Sequence, residues 1–389
     1  MNIVADANIP FAAQAFSCFG NVLVASGRAI DKAMVKDADM LLVRSVTRVD
    51  RNLLENSRVR FVGTATIGID HVDTKYLTGQ GIAFASAPGS NAQSVAEYVA
   101  CSLVHVFQGD LTALSGKTLG VIGAGNVGSR VVKIGQSLGM RCLVNDPPLA
   151  QTSAGKGFAS FEEIQSEADI ITLHVPLTSS GAYPTVFMIS EAFIKNLKPS
   201  SMLINTSRGR VVDEKALLSM RNKLGAVVLD VWENEPAIDF KTLAQTDIAT
   251  PHIAGYSYDG KVRGARMLFE AAAVFLKSDA RWNEIVLETE ASARSIDIRN
   301  AQQPLAFALE TAYSVMEDDT QLRKIVDQED PVAYFDELRK QYPKRLEFEH
   351  FKVCCSRRQE NTIGHTLKNL GFRVQCEEWK AGDRRQETE

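Results

Sequence analysis

The stretch GVIGAGNVG, Gly120–Gly128, decides how this chain is to be read. Gly123, Gly125 and Gly128 stand in GxGxxG spacing, after an apolar run and before the helical pattern RVVKIGQSLG. In such a strand-to-helix turn the first glycine permits the tight bend and the second lets a diphosphate approach the backbone. The third lets the helix pack closely, and the helix N-terminus attracts the negative charge. A bare structural turn would give the same spacing, so the motif needs a second test.

The next strand supplies it. CLVND ends at Asp146, eighteen residues beyond Gly128, where a carboxylate that binds a ribose is expected. Asp146 can accept from both ribose hydroxyls but would repel a 2′-phosphate, and Pro147-Pro148 follow where a phosphate-binding arginine could have stood. The pair therefore points to NAD rather than NADP, bound by Gly123, Gly125, Asn126, Val127, Gly128 and Asp146.

Working outward, TLGVIGAG, CLVND, DIITLHVP, MLINTS, AVVLDVW and DIATPHIAG are six strand candidates with helical segments between most of them. Toward the N-terminus, NIVAD, VLVAS, MLLVRS, VRFVGTAT and GIAFASA form a second alternating series. Both series imply parallel strands joined by helices, that is, two doubly wound Rossmann-like α/β domains. A helix from Asn91 is expected to start on Ser94 and Glu97 in capping-box spacing. KVRGARMLFEAAAVFLK reads as a helix that returns the chain to the first domain, making that domain discontinuous. Beyond about Glu284 the chain turns charged and helical, then shows FKVCCS, a helix near Thr362–Asn369, FRVQC and a frayed tail, AGDRRQETE. That suggests a small α+β domain for assembly. The expected division is 1–93 with 257–284 as a substrate-binding lid, 94–256 for NAD, and 285–389 for dimerisation.

A chain of 389 residues with 45% hydrophobic and 23% charged residues has the balance of a folded, multidomain protein. Its net charge of −4 supplies no global field for nucleic acid or an anionic membrane, so an anionic ligand must be held by local cations. MNIVADANIP shows no secretory pattern, and the apolar stretch Ser94–Phe107 is too short to cross a bilayer. A cytoplasmic location is expected. The six cysteines form no CxxC pair, which suits six reduced thiols and opposes a disulfide framework or a zinc site.

Ligands of open α/β sheets sit at the carboxyl ends of the strands. There stand Arg208 after MLINTS, Glu235 after AVVLDVWEN and His252 after DIATP. A guanidinium can grip a carboxylate through two parallel hydrogen bonds and polarise an adjacent carbonyl. A histidine can take a hydroxyl proton, and a carboxylate on its other nitrogen would stabilise the imidazolium and fix the ring. Together the three suit hydride transfer to or from a 2-hydroxy acid. Taken singly, His252 also reads as a packed histidine, Glu235 as a turn residue and Arg208 as a surface cation. No HxH, HxxxH or HExxH spacing supports a metal.

VIGAGNVG, LHVPLT, LINTSRGRVVDEKAL, DVWENEP and TPHIAG resemble, in order and spacing, the signatures of the D-2-hydroxyacid dehydrogenase family, over roughly the first 280 residues. The resemblance implies that Arg208 binds the substrate carboxylate, that Glu235 partners the histidine and that His252 is the acid/base. It also implies that Asp230 lies near the nicotinamide amide and that Thr206, Ser207 and Gly255 help form the cofactor pocket. Within the family, MLLVRSVT, FVGTATIGIDHVD, GAYPT, HIAGYSYDGKVRGA, DELRK and KRLEF are similar to a member that acts on a small phosphorylated 2-hydroxy acid as a homodimer. That likeness implies substrate contacts for Ser45, Thr66 and Tyr256. Arg44, beside Ser45, is the added cation a phosphate would need, and Arg345 is either a second one or a solvated surface charge. The alternatives are 3-phosphoglycerate dehydrogenase, another D-2-hydroxyacid dehydrogenase, or an NAD-sensing corepressor-like binding protein.

Overall fold

The computed structural model describes residues 1–152, 157–282 and 294–377. The expected frayed tail and the expected boundary at 284/285 lie outside the described residues. The chain forms two compact units, Met1–Gln93 with the segment from Tyr256, and Ser94–Gly255 with the C-terminal segment.

The first unit is built on β1 (Asn2–Asp6), β2 (Asn21–Ala25), β3 (Met40–Val43), β4 (Phe61–Thr64) and β5 (Ala83–Ser86), all parallel in the order β2-β1-β3-β4-β5. Every residue of β3 and β4 is buried, the continuous apolar signature of a strand covered on both faces. The helix Tyr258–Leu276 covers one face: Ala265, Leu268, Phe269 and Ala272 pack with Ile3, Ala5, Met40, Leu42 and Phe61. Its alternating small and large side chains let it lie close on the sheet.

The second unit carries β6 (Thr118–Ile122), β7 (Arg141–Asn145), β8 (Ile170–Leu173), β9 (Ser201–Asn205), β10 (Leu224–Leu229) and β11 (Ile248–Ala249), all parallel in the order β11-β10-β9-β8-β6-β7. Each expected strand is present, and the described fold is the two doubly wound sheets. Because the strands run one way, all their carboxyl ends line one edge. The strand order reverses at β6, between β7 and β8, which opens the ligand crevice at that edge.

The C-terminal segment adds a three-stranded sheet, β12 (Arg294–Asp297), β13 (Phe351–Ser356) and β14 (Arg373–Glu377), whose strands also run parallel. The sequence gives no sign of β12, since only Ile296 of RSID is buried. The helices Val315–Arg323 and Pro331–Lys340 place Leu322 and Phe335, with Ile325, in the same core as Leu229 and Trp232.

Three expectations are corrected. Ser94 does not cap its helix, which spans Ala92–Val106; Ser94 Oγ instead donates to the Ala254 carbonyl at 2.9 Å, and Glu97 accepts the Phe348 N–H at 3.1 Å. Cys355 and Cys376 are joined as a disulfide, because the β13/β14 register sets them opposite each other with Cα atoms 4.5 Å apart. Arg345 is not a solvated charge. It is 6% exposed, with Nη2 donating to the Ser94 carbonyl at 2.6 Å and the guanidinium 3.8 Å from the Tyr313 ring centroid.

Candidate active site

At the end of β6 the three glycines meet three different surroundings. Gly123 has φ +92°, and a Cβ there would lie 2.5 Å from the His174 carbonyl oxygen. A Cβ on Gly128 would collide with the Gly123 carbonyl, so the helix Gly128–Ser137 starts against the turn itself. A Cβ on Gly125 would meet nothing within 4 Å. That open face is where a diphosphate can reach the backbone, and the loop fits a dinucleotide. Asp146 closes the arrangement: Oδ2 accepts the Ala124 N–H at 2.8 Å and Oδ1 the Leu149 N–H at 3.0 Å. The carboxylate is thus held beside the loop with lone pairs to spare for hydroxyl donors. Asn126 is exposed and Val127 half-buried on the same loop.

His174, at the end of β8, was not singled out from the sequence. Its Nε2 lies 2.9 Å from Thr172 Oγ1 and its Nδ1 3.4 Å from Thr206 Oγ1. Burial pushes its pKa down to about 3, so the ring is neutral at physiological pH and orients Thr206 by a hydrogen bond without adding charge.

After β9, Asn205 shapes the turn. Its Oδ1 accepts Ser207 N–H at 3.1 Å and Ser207 Oγ at 2.8 Å, while Nδ2 donates to the Arg208 carbonyl at 2.9 Å. Arg208 Nη1 donates to the Ser207 carbonyl at 2.7 Å. Gly209 follows because any Cβ there would strike the Trp232 carbonyl group; this close approach brings the Arg208 turn against the loop after β10.

That second loop is held from both sides. The buried Trp232 donates from Nε1 to the Thr250 carbonyl at 3.0 Å, and Glu214 accepts the Glu233 N–H at 2.7 Å. Asn205 and Glu214 both lie within LINTSRGRVVDEKAL, but the spacing alone does not show their part, since each acts on main chain.

His252 has φ +57°, a left-handed conformation that costs a non-glycine residue free energy and is characteristic of functional sites. Asp230 holds it there. The Asp230 main-chain carbonyl accepts the His252 N–H at 2.7 Å, and its buried carboxylate accepts from Thr250 Oγ1 and Ile253 N at 2.7 Å and from Ala254 N at 3.0 Å. Burial raises the Asp230 carboxyl above its ordinary range, against the lowering effects of His252 and these donors. The ring so placed puts Nδ1 2.5 Å from Glu235 Oε1, with 30% and 25% of the two side chains exposed. Burial pushes Glu235 up, but His252, the bond to it and Arg339 hold it below the usual carboxylate range. Among the described residues, Nε2 has no hydrogen-bond partner.

In the first unit Arg44 and Ser45 follow β3, and Thr66 follows β4. Thr66 Oγ1 donates to the Gly68 carbonyl at 2.9 Å and lies 2.7 Å from Thr64 Oγ1. The Arg44 guanidinium lies 5.4 Å from the Tyr256 ring centroid. Gly255, half-buried, closes the loop that begins at Thr250.

Residues 91–254 match the family described as D-isomer specific 2-hydroxyacid dehydrogenase, NAD binding domain. The chain is 44% identical over 376 residues to an erythronate-4-phosphate dehydrogenase of Edwardsiella ictaluri, covering 96% of this chain and 99% of that one. It is 46% identical to the same-named enzyme of Salinibacter ruber, covering 84% and 86%.

The chain belongs to the erythronate-4-phosphate dehydrogenase family.

Solved D-2-hydroxyacid dehydrogenases share its fold. The D-lactate dehydrogenase of Aquifex aeolicus, complexed with NAD and lactic acid, is 28% identical with a TM-score of 0.60 over 71% of this chain and 96% of its own. The NAD-bound 3-phosphoglycerate dehydrogenase of Entamoeba histolytica is 26% identical with a TM-score of 0.58 over 73% and 99%. These structures cover less than three quarters of this chain, and residues 287–371 match a domain of unknown function (DUF3410). The chain is an NAD-dependent dehydrogenase, as the glycine turn and Asp146 imply. No helix among the described residues is long and apolar enough to cross a membrane.

Proposed function

We propose that the chain oxidises 4-phospho-D-erythronate at C2 to 2-oxo-3-hydroxy-4-phosphobutanoate with NAD, a step in the supply of pyridoxal 5′-phosphate. The observation that carries the reading is the 2.5 Å bond between His252 Nδ1 and Glu235 Oε1, on a chain 44% identical to a named erythronate-4-phosphate dehydrogenase.

Bound NAD supplies the hydride acceptor. Arg208 grips the substrate carboxylate, orients C2 and draws electron density from the carbonyl as it forms. Neutral His252 removes the C2 hydroxyl proton through Nε2, and Glu235, ionised and bonded to Nδ1, stabilises the resulting imidazolium. Asp230 keeps the ring in place, while Gly123, Gly125, Asn126, Val127, Gly128, Asp146, Thr206, Ser207 and Gly255 bind the cofactor. Arg44, Ser45, Thr66 and Tyr256 are the proposed substrate contacts of the first unit.

The division into a lid (1–93, 257–284), an NAD domain (94–256) and a dimerisation domain (285–389) belongs to the same proposal. Exposed Phe307, Val326 and Val332 on the C-terminal segment support a homodimer through it, and the location proposed is the cytoplasm.

NADH formation measured with 4-phospho-D-erythronate and 3-phosphoglycerate side by side tests the reading. A kcat/KM higher by orders of magnitude for the four-carbon acid is expected. Preference for 3-phosphoglycerate would replace the substrate, and no NADH with any 2-hydroxy acid would favour a binding protein.

A further inference from the structure

Lys261 was not among the residues singled out from the sequence, yet its surroundings are unusual for a lysine. It lies in the first turns of the helix Tyr258–Leu276, near the positive end of the helix dipole, where a cation is disfavoured. Its Nζ is 5.1 Å from the Tyr256 ring centroid, and the Arg44 guanidinium is 5.4 Å from the centroid of the same ring. Both cations are partly withdrawn from water, and among the described residues neither makes an ion pair with a carboxylate. The attraction of one tyrosine ring for two cations is worth about 0.5–2 kcal/mol for each. It does not neutralise their mutual repulsion. Burial, and after it the neighbouring Arg44, lower the Lys261 pKa to about 8. Such a site is stabilised by the arrival of a multiply charged anion.

We propose that Lys261 and Arg44 form a two-cation clamp on Tyr256 for a phosphate monoester dianion, and that Lys261 sets the preference for phosphorylated over unphosphorylated 2-hydroxy acids. The first part concerns the first unit alone; the second rests on the substrate proposed above. The two cations present a divided donor set, a planar guanidinium fork and a mobile ammonium, suited to different oxygens of a tetrahedral group. Tyr256 keeps them apart and supplies the wall against which the phosphate is desolvated.

The test uses the full chain, with Lys261→Met and Lys261→Arg. NADH formation is measured with 4-phospho-D-erythronate and with D-erythronate, and inorganic phosphate binding is measured by titration in the absence of substrate. Losing one charge-assisted contact lowers the ratio of the two kcat/KM values by about 10- to 100-fold in Lys261→Met. Lys261→Arg restores most of the ratio, and the KM for NAD stays as in the wild type. An unchanged ratio in a folded Lys261→Met overturns the specificity role. Should Lys261→Met fail to fold, Lys261→Gln, which keeps a polar head of similar reach, carries the same comparison. If the wild-type protein oxidises neither acid, the substrate reading has failed, and the phosphate titration decides the clamp separately. About 10-fold weaker phosphate binding in both Lys261→Met and Arg44→Met supports it, and equal binding in wild type and variants overturns it.

Discussion

Asp230 and His252 are joined through the main chain and the side chain at once: the Asp230 carbonyl accepts the His252 N–H, and its carboxylate accepts the next two N–H groups at Ile253 and Ala254. This turns the end of β11 into a rigid bracket that offsets the cost of the positive φ at His252. The imidazole is aimed at Glu235 before any substrate arrives, and such preorganisation removes part of the ordering cost from the reaction.

Replacing His252 with Ala removes the proton acceptor and lowers kcat by about 10²- to 10⁴-fold. The affinity for NAD, measured by fluorescence titration, stays within about 2-fold, well under the 1.4 kcal/mol that a tenfold change represents. Glu235→Gln keeps a hydrogen-bonding partner for the ring but removes the charge, so kcat falls on the order of 10-fold or more. Equal turnover in either variant would remove the assigned proton pathway.

The Glu235 bond also makes stability depend on pH. Despite the upward push of burial, His252 and Arg339 hold this carboxyl below its ordinary range. A carboxylate depressed in the folded state contributes stability that is fully present above its unfolded pKa and is lost as pH falls through the folded pKa. Denaturant melts at successively lower pH should show a steeper acid loss in the wild type than in Glu235→Gln. Parallel acid limbs would contradict the depressed value.

Arg208→Lys keeps the charge but gives up the planar fork. The Asn205 bonds to Ser207 and to the Arg208 carbonyl still shape the turn, so the loss falls on substrate recognition. kcat/KM for the hydroxy acid is expected to drop by about 10- to 150-fold, the equivalent of one strong charge-assisted hydrogen bond. Steady-state kinetics with an unchanged KM for NAD check this.

Asp146→Ser removes the carboxylate that steadies Ala124 and Leu149 and awaits the ribose hydroxyls. NAD binding should weaken by about 10-fold or more. Discrimination against NADP should narrow, because the negative charge facing a 2′-phosphate is gone. Measured affinities for both cofactors in one titration series provide the check.

Eleven strands of the two large sheets were legible because each is an apolar run bounded by turn residues, a pattern written within a few neighbouring residues. The glycine spacing, Asp146 and the candidates Arg208, Glu235 and His252 were legible because parallel strands present their carboxyl ends on one edge. A residue just after such a strand can be placed from its position in the chain.

Only the tertiary structure decided what those residues touch. The order β9-β10-β11 sets the Glu235 and His252 loops side by side. Burial converts Asp230 from a strand-end carboxylate into the bracket of the histidine loop, and encloses Arg345 against Ser94 and Tyr313. Register pairs Cys355 with Cys376, and helix packing brings Lys261 and Arg44 to one ring. The physical reason is range: backbone propensity and side-chain periodicity act between near neighbours, whereas burial, charge pairing and register join residues far apart in the chain, and exist only once the sheets have closed around them.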